Sequence, residues 1–206
     1  PNNAIELAQN ISECFDGKFI ILDKDRKIAR IIINEITFDI SSQSDNSLEQ
    51  DLLSRDFSIN SIAFSFDSKK IIDPFNGIED IHKSLLRTYS YKNLLDDPLR
   101  ILRCFRFVSE LDFNIDTQLI EFIKENNNQL RFISVERIHY EIQRIIKGKN
   151  ALKSILLINQ LEIFNYVQIY NDYPSKILER INYEEFNQNE IEEFLPLCYL
   201  NEILND

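Results

Sequence analysis

Asp97 and Arg100, in the stretch LDDPLRILRCFRF at residues 95–107, set an acceptor and a donor three residues apart. A fixed carboxylate only accepts hydrogen bonds and a guanidinium only donates them. Cytosine offers an amino donor beside its N3 acceptor, and adenine an amino donor beside N1. Asp97 can take the amino hydrogen of either base while Arg100 donates to the ring nitrogen. Uracil and guanine present the opposite order, so both contacts fail. Charge-assisted bonds are the strong class, and unmatched polar groups in a shielded site are costly. One Asp–Arg pair could therefore admit C and A and reject U and G without a nucleic-acid template.

The element that must carry this pair is a helix over residues 97–110. Asp96 or Asp97 suits its N-cap and Pro98 its first turn. At helical spacing, Arg100, Arg103 and Arg106 fall within an arc of about 120°, with Ile101, Leu102, Cys104, Phe105 and Val108 on the other side. The plain alternative is a capped amphipathic helix with a solvated basic face.

Upstream, the spacing predicts a helix over 4–15 with Ile5, Ala8, Ile11, Cys14 and Phe15 on one face, stopped at Gly17. KFIILD, IARIII and EITFDIS read as a three-stranded meander. Ser47 with Gln50 resembles a capping box opening a helix to about residue 63. FSFDSKKIIDPF reads as a hairpin and GIEDIHKSLL as a short helix. Beyond Asp96 the pattern is helical, over 116–126, 134–147, 150–157 and 175–185. Strands first and helices afterwards predict an α+β protein, a small-sheet head joined to an all-α body.

The chain has 206 residues and a formal net charge of -11, so a uniformly basic nucleic-acid binder is excluded. The charge is uneven: residues 131–161 carry Arg131, Arg137, Arg144, Lys147, Lys149 and Lys153 against Glu136 and Glu141, while 162–206 is strongly acidic. Any RNA contact would use the local basic patch. Cys14, Cys104 and Cys198 lack metal or disulfide spacing and are expected as buried, reduced thiols. His82 and His139 form no metal pattern. No apolar run is long enough to span a membrane and no export signal opens the chain, so a cytoplasmic setting is expected. The sequence starts without Met and is expected to begin inside a longer protein.

DLLSRDFSINSIAF (51–64), DPFNGIEDI (73–81), DDPLRILRCFRF (96–107) and ERIHYEIQRII (136–146) occur in an order and at a spacing that carry a resemblance. As a set, over about residues 15–165, they resemble four successive motifs of the class II tRNA nucleotidyltransferase (CCA-adding) and bacterial poly(A) polymerase family. The resemblance implies a partial polymerase-β-like nucleotidyltransferase head at 1–90, a helical neck at 91–150 and the start of a helical body at 151–206. It implies CTP and ATP as substrates, Mg2+ as cofactor and the tRNA 3′ end as partner. Asp97 and Arg100 would be the base-reading pair. Arg55, Asp56 and Asn60 would hold sugar and phosphates, with Asp56 near the ribose hydroxyls, and Arg103 and Arg106 would reach phosphates or the tRNA end. Arg137 and Glu141 of the fourth motif are expected to pair along their own helix as scaffold, and within the basic stretch 131–153 the residues Arg137, Arg144, Lys147 and Lys149 are the candidates to meet RNA. Asp73, Gly77 and Asp80 match a structural or hinge-like coupling segment.

The family's first motif, Gly-Gly-x-Val-Arg-Asp followed by Asp-x-Asp, is missing from these residues, which contain three glycines, none adjacent. Its two metal-binding aspartates are expected upstream of Pro1. Asp39 matches a third acidic position and is the one catalytic and metal candidate that remains; the alternative is an ordinary edge-strand Asp. Ser54 stands where the family has Arg, and Ser44 stands where an Arg often follows the acidic strand. The fragment is thus expected to be inactive alone. Poly(A) polymerase and a non-catalytic nucleotide- or RNA-binding module remain alternatives.

Overall fold

The computed structural model describes residues 3–25, 27–42 and 47–167. By compactness the chain divides into Pro1–Ser54 and Arg55–Asp206. That boundary falls inside the 1–90 region expected as one head domain.

In the first unit, α1 (Ala4–Cys14) starts at Asn3, whose side chain accepts from the Glu6 amide. The strands β1 (Lys18–Asp23), β2 (Ile28–Ile33) and β3 (Ile36–Ser41) form the expected antiparallel meander with β2 in the middle. Period-2 alternation puts Ala29 and Ile31 on one face, buried with Ala8 of α1 and flanked by Ile5, Ile11, Phe19, Ile33 and Ile40. Arg30 and Asp39, paired in register, belong to the opposite face. Cys14 is exposed, contrary to the expected burial. The helix α2 (Leu48–Leu53) opens at Ser47, which accepts from the Gln50 amide as expected, but stops ten residues short of the predicted end. Ser54 Oγ bonds back to the Asp51 carbonyl at 2.7 Å, and the Asp56 carboxylate takes the Phe57 amide. Both side chains compete with the helical backbone pattern.

In the second unit, a single 3-10 turn, Ser58–Asn60, leads into the predicted hairpin of β4 (Ala63–Ser65) and β5 (Lys70–Ile72). Asp73 accepts from the amides of Gly77 and Ile78 at the start of α3 (Gly77–His82). A Cβ on Gly77 would collide with the Ser58 carbonyl, so only glycine fits this approach. The predicted continuation of this helix through Leu86 is not found. Ser84 takes a left-handed φ of 50°, and β6 (Leu85–Leu86) pairs in parallel with β7 (Asn114–Ile115), a strand the helical pattern hid. Between them lie α4 (Tyr91–Asp96) and α5 (Leu99–Leu111). There follow α6 (Thr117–Asn126), α7 (Val135–Ile146), α8 (Ala151–Gln160) and a 3-10 turn, Ile163–Tyr166. The predicted helix at 175–185, Cys198 and nearly all of the acidic end lie outside the described residues.

The core of this unit centres on α5, where Ile101, Leu102, Cys104, Phe105 and Val108 are fully buried against residues such as Ile138, Ile142, Ile145 and Ile155 of α7 and α8. Burial pushes the Cys104 thiol far above its usual range, so it packs as a small hydrophobe. Polar bonds stitch the same helices: Ser154 Oγ donates to the Phe105 carbonyl, and Ser109 Oγ to that of Ile145.

Arg106 is the main departure from the predicted basic face. It is buried, and its Nη1 donates to both Glu141 oxygens at 3.0 and 3.1 Å, with Glu110 Oε2 3.6 Å from its Nε. Burial pulls the guanidinium down and the carboxyl up from their usual ranges, each opposed by the partner's charge. The expected Arg137–Glu141 pairing gives way because Glu141 faces inward, onto α5.

Two outcomes follow from this packing. A Cβ on Gly148 would stand 2.8 Å from the Ser109 backbone. Gly148→Ala should therefore cost about 1–3 kcal/mol as an overpacked contact, read from the urea unfolding midpoint. Glu141→Ala leaves a buried guanidinium with only the longer Glu110 contact and should cost about 3 kcal/mol in the same assay, with Glu141→Gln between it and the parent chain.

Candidate functional site

Four segments of the second unit meet at a cleft of about 500 Å³ lined by Arg55, Asp56, Asn60, Asp97, Leu99, Arg100, Arg103, Arg106, Phe107 and Arg137. Five guanidinium groups and two carboxylates line one concavity. An excess of positive charge in a low-dielectric cleft draws anions.

The side chains are held by named contacts. The Asp56 carboxylate, 5% exposed, accepts from the Phe57 amide and Asn60 Nδ2 through Oδ1, and from Arg103 Nε through Oδ2 at 2.6 Å. Arg103 thus has its Nε engaged by Asp56. The ring of Phe107 lies under Arg103 and Arg106, at 5.9 and 4.8 Å from the guanidinium carbons, and meets Phe57 edge-on. Arg55 Nη1 donates to the Asn60 carbonyl and Asn93 Nδ2 to the Arg55 carbonyl, which fixes the turn after α2.

Asp97 does not cap α5. It sits in an extended conformation at the C-cap of α4, and Pro98 occupies the N-cap position of α5 without a side-chain bond. Its carbonyl accepts from the Arg100 amide at 3.0 Å. Its carboxylate accepts from a single Arg137 nitrogen, Nη2, at 3.1 Å to Oδ1 and 2.8 Å to Oδ2. Arg100 Nη1 donates to the Asn93 carbonyl at 3.2 Å. The predicted donor and acceptor therefore line the same cleft, one tight turn apart. Arg137, grouped by sequence with RNA-facing residues, lines it too.

Other predicted positions lie elsewhere. Arg144 pairs with Glu110 at 2.7 Å. Lys147 and Lys149 are exposed beyond α7. Ser44 is outside the described residues. His139 is half-buried on α7. The sequence reading missed Phe107 as the floor of the cleft, although an aromatic among arginines was the available signal. Asp80 of the coupling segment is buried, accepts from Ser58 Oγ and pairs with Arg87 at 2.9 Å.

Asp39, in the first unit on edge strand β3, accepts from Arg30 Nε and Nη2 at 2.7 and 2.9 Å. Hydrogen bonding by Arg30 holds its carboxyl below the usual range. Among the described residues no group of three or more His, Cys, Asp or Glu could hold a metal ion. These residues do not by themselves fit a metal centre.

Residues 5–87 match the family described as Poly A polymerase head domain, and residues 112–170 match the probable RNA and SrmB-binding site of polymerase A. A CC-adding tRNA nucleotidyltransferase of Synechocystis is 37% identical over 156 residues, which cover 76% of this chain and 38% of that protein. The crystal structure of the Bacillus stearothermophilus CCA-adding enzyme in complex with CTP superposes with a TM-score of 0.67 at 30% identity, covering 73% of this chain and 40% of that one. The Thermotoga maritima CCA-adding enzyme complexed with tRNA gives a TM-score of 0.72 at 28% identity, over 93% of this chain and 48% of that one. The chain spans about a third to two fifths of the length of the curated relatives it matches. The α+β order of elements, the motif set and these likenesses agree, and the chain belongs to the class II tRNA nucleotidyltransferase and bacterial poly(A) polymerase family.

Proposed function

We propose that this chain is the nucleotide-selecting part of a tRNA nucleotidyltransferase that adds C and A to tRNA 3′ ends from CTP and ATP. The observation that carries this reading is the placement of Asp97 and Arg100 on one cleft with Arg55, Asn60 and Arg103. Asp97 takes the base's amino hydrogen and Arg100 donates to the ring nitrogen. Three of the roughly four acceptor positions on Asp56 are filled by protein donors, and a ribose hydroxyl takes the remaining one. Arg103, fixed through its Nε, turns its terminal nitrogens to the phosphates, and Arg55, held by the Asn60 carbonyl through Nη1, adds its charge beside them. Arg106, tied to Glu141, acts by fixing α5 against α7 and adds positive potential to the cleft.

The whole protein's reaction, attack of an RNA 3′-OH on the α-phosphate with release of pyrophosphate, asks positioning and charge neutralisation of these residues. Mg2+ is the cofactor in this reading. Lys147, Lys149 and Arg144 meet the tRNA backbone, and that contact weakens with salt. Among the described residues no helix is long and apolar enough to cross a membrane, and a cytoplasmic setting with tRNA is part of the proposal. The Synechocystis likeness favours one second reading, a C-only adder.

Isothermal titration of the four nucleoside triphosphates tests the selection. CTP and ATP should bind at least about tenfold tighter than UTP and GTP, a difference of about 1.4 kcal/mol. Arg100→Ala should erase that preference with little change in Tm. Equal affinity for all four in the parent chain would overturn the reading, and a preference for CTP alone would favour the C-only adder.

A further inference from the structure

A carboxylate and a guanidinium joined by one tight turn attract each other. They can read a base only if each is kept available to a third group. The structure gives each a separate partner: Arg137 for the Asp97 carboxylate and the Asn93 carbonyl for Arg100. The Arg137 hold is not local, because that residue comes from α7, 40 positions along the chain. Asn93 is itself tied to the Arg55 carbonyl, so both anchors are fixed outside the turn that carries the pair.

We propose that Arg137 is a positioning residue for nucleotide selection, holding the Asp97 carboxylate apart from Arg100 so that acceptor and donor stay separately presented. This rests on the reading of the cleft as a nucleotide site. One nitrogen of Arg137 makes both contacts, so the carboxylate keeps acceptor capacity for an amino hydrogen. Its side chain is 33% exposed and within reach of a ligand in the cleft. Arg137 does not touch the base. Without it, Asp97 turns toward Arg100 and the two neutralise each other. The cleft then still attracts a triphosphate through Arg55 and Arg103, but no longer distinguishes cytosine from uracil.

The test is titration of CTP and UTP into the parent chain, Arg137→Gln and Arg137→Lys, with folding checked by circular dichroism and Tm. In Arg137→Gln the CTP-to-UTP affinity ratio should fall by about tenfold or more, the size of one lost charge-assisted hydrogen bond, with most of the change in CTP. Arg137→Lys should recover part of the ratio, because one amine can replace one Nη2. An unchanged ratio in Arg137→Gln, or an equal loss for both nucleotides, would overturn the proposal, since lost charge or lost stability alone acts on both alike. If Arg137→Gln does not fold, Arg137→Lys decides the matter: a ratio below that of the parent supports the proposal, and an unchanged one overturns it. A parent chain that does not separate CTP from UTP overturns the nucleotide reading and this inference together.

Discussion

Arginine fixed by carboxylate is the interaction on which the second unit's cleft depends. Asp56 holds Arg103, Asp97 holds Arg137, and Glu141 holds Arg106. Each pair joins segments far apart in sequence. Free arginines lose side-chain entropy on binding a ligand; these have been placed by folding. The pairs differ in weight. Arg106–Glu141 is buried on both sides, and breaking it strands a charge. Asp97–Arg137 is half open to water, where an ion pair contributes little to stability. In the role proposed for Arg137 its consequence is geometric: it sets where an acceptor points.

Such an arrangement suits chemistry in which a protein chooses a base without a template. A two-point reader needs donor and acceptor at fixed separation and direction. The backbone fixes separation, through the Asp97 carbonyl bond to the Arg100 amide. Side-chain anchors fix direction. Phe107 supports two of the guanidinium groups from below, which limits their freedom without consuming their donors.

Much of this was legible in the amino-acid order. The β-branched runs of β1, β2 and β3 and the periodicity of α5 to α8 mark elements that packing then confirms. The family motifs placed Arg55, Asp56, Asn60, Asp97 and Arg100 in one list, and the structure sets them on one cleft. What escaped was tertiary. Helical spacing put Arg106 with Arg100 on a wet face, but Glu141, 35 residues away, draws it inside. The same displacement undid the local Arg137–Glu141 pairing. The end of α2 depended on where the Asp56 carboxylate turned, and the parallel pairing of β6 with β7 involves two residues each, too short for any period.

The most direct measurement is a crystal structure of this chain with CTP. The cytosine amino group should lie within hydrogen-bond distance of the Asp97 carboxylate and N3 within reach of Arg100, with Arg137 still on Asp97 and the phosphates toward Arg103. A cytosine seated away from Asp97 and Arg100, or its Watson–Crick edge turned to solvent, would contradict the central claim that this pair substitutes for a complementary base.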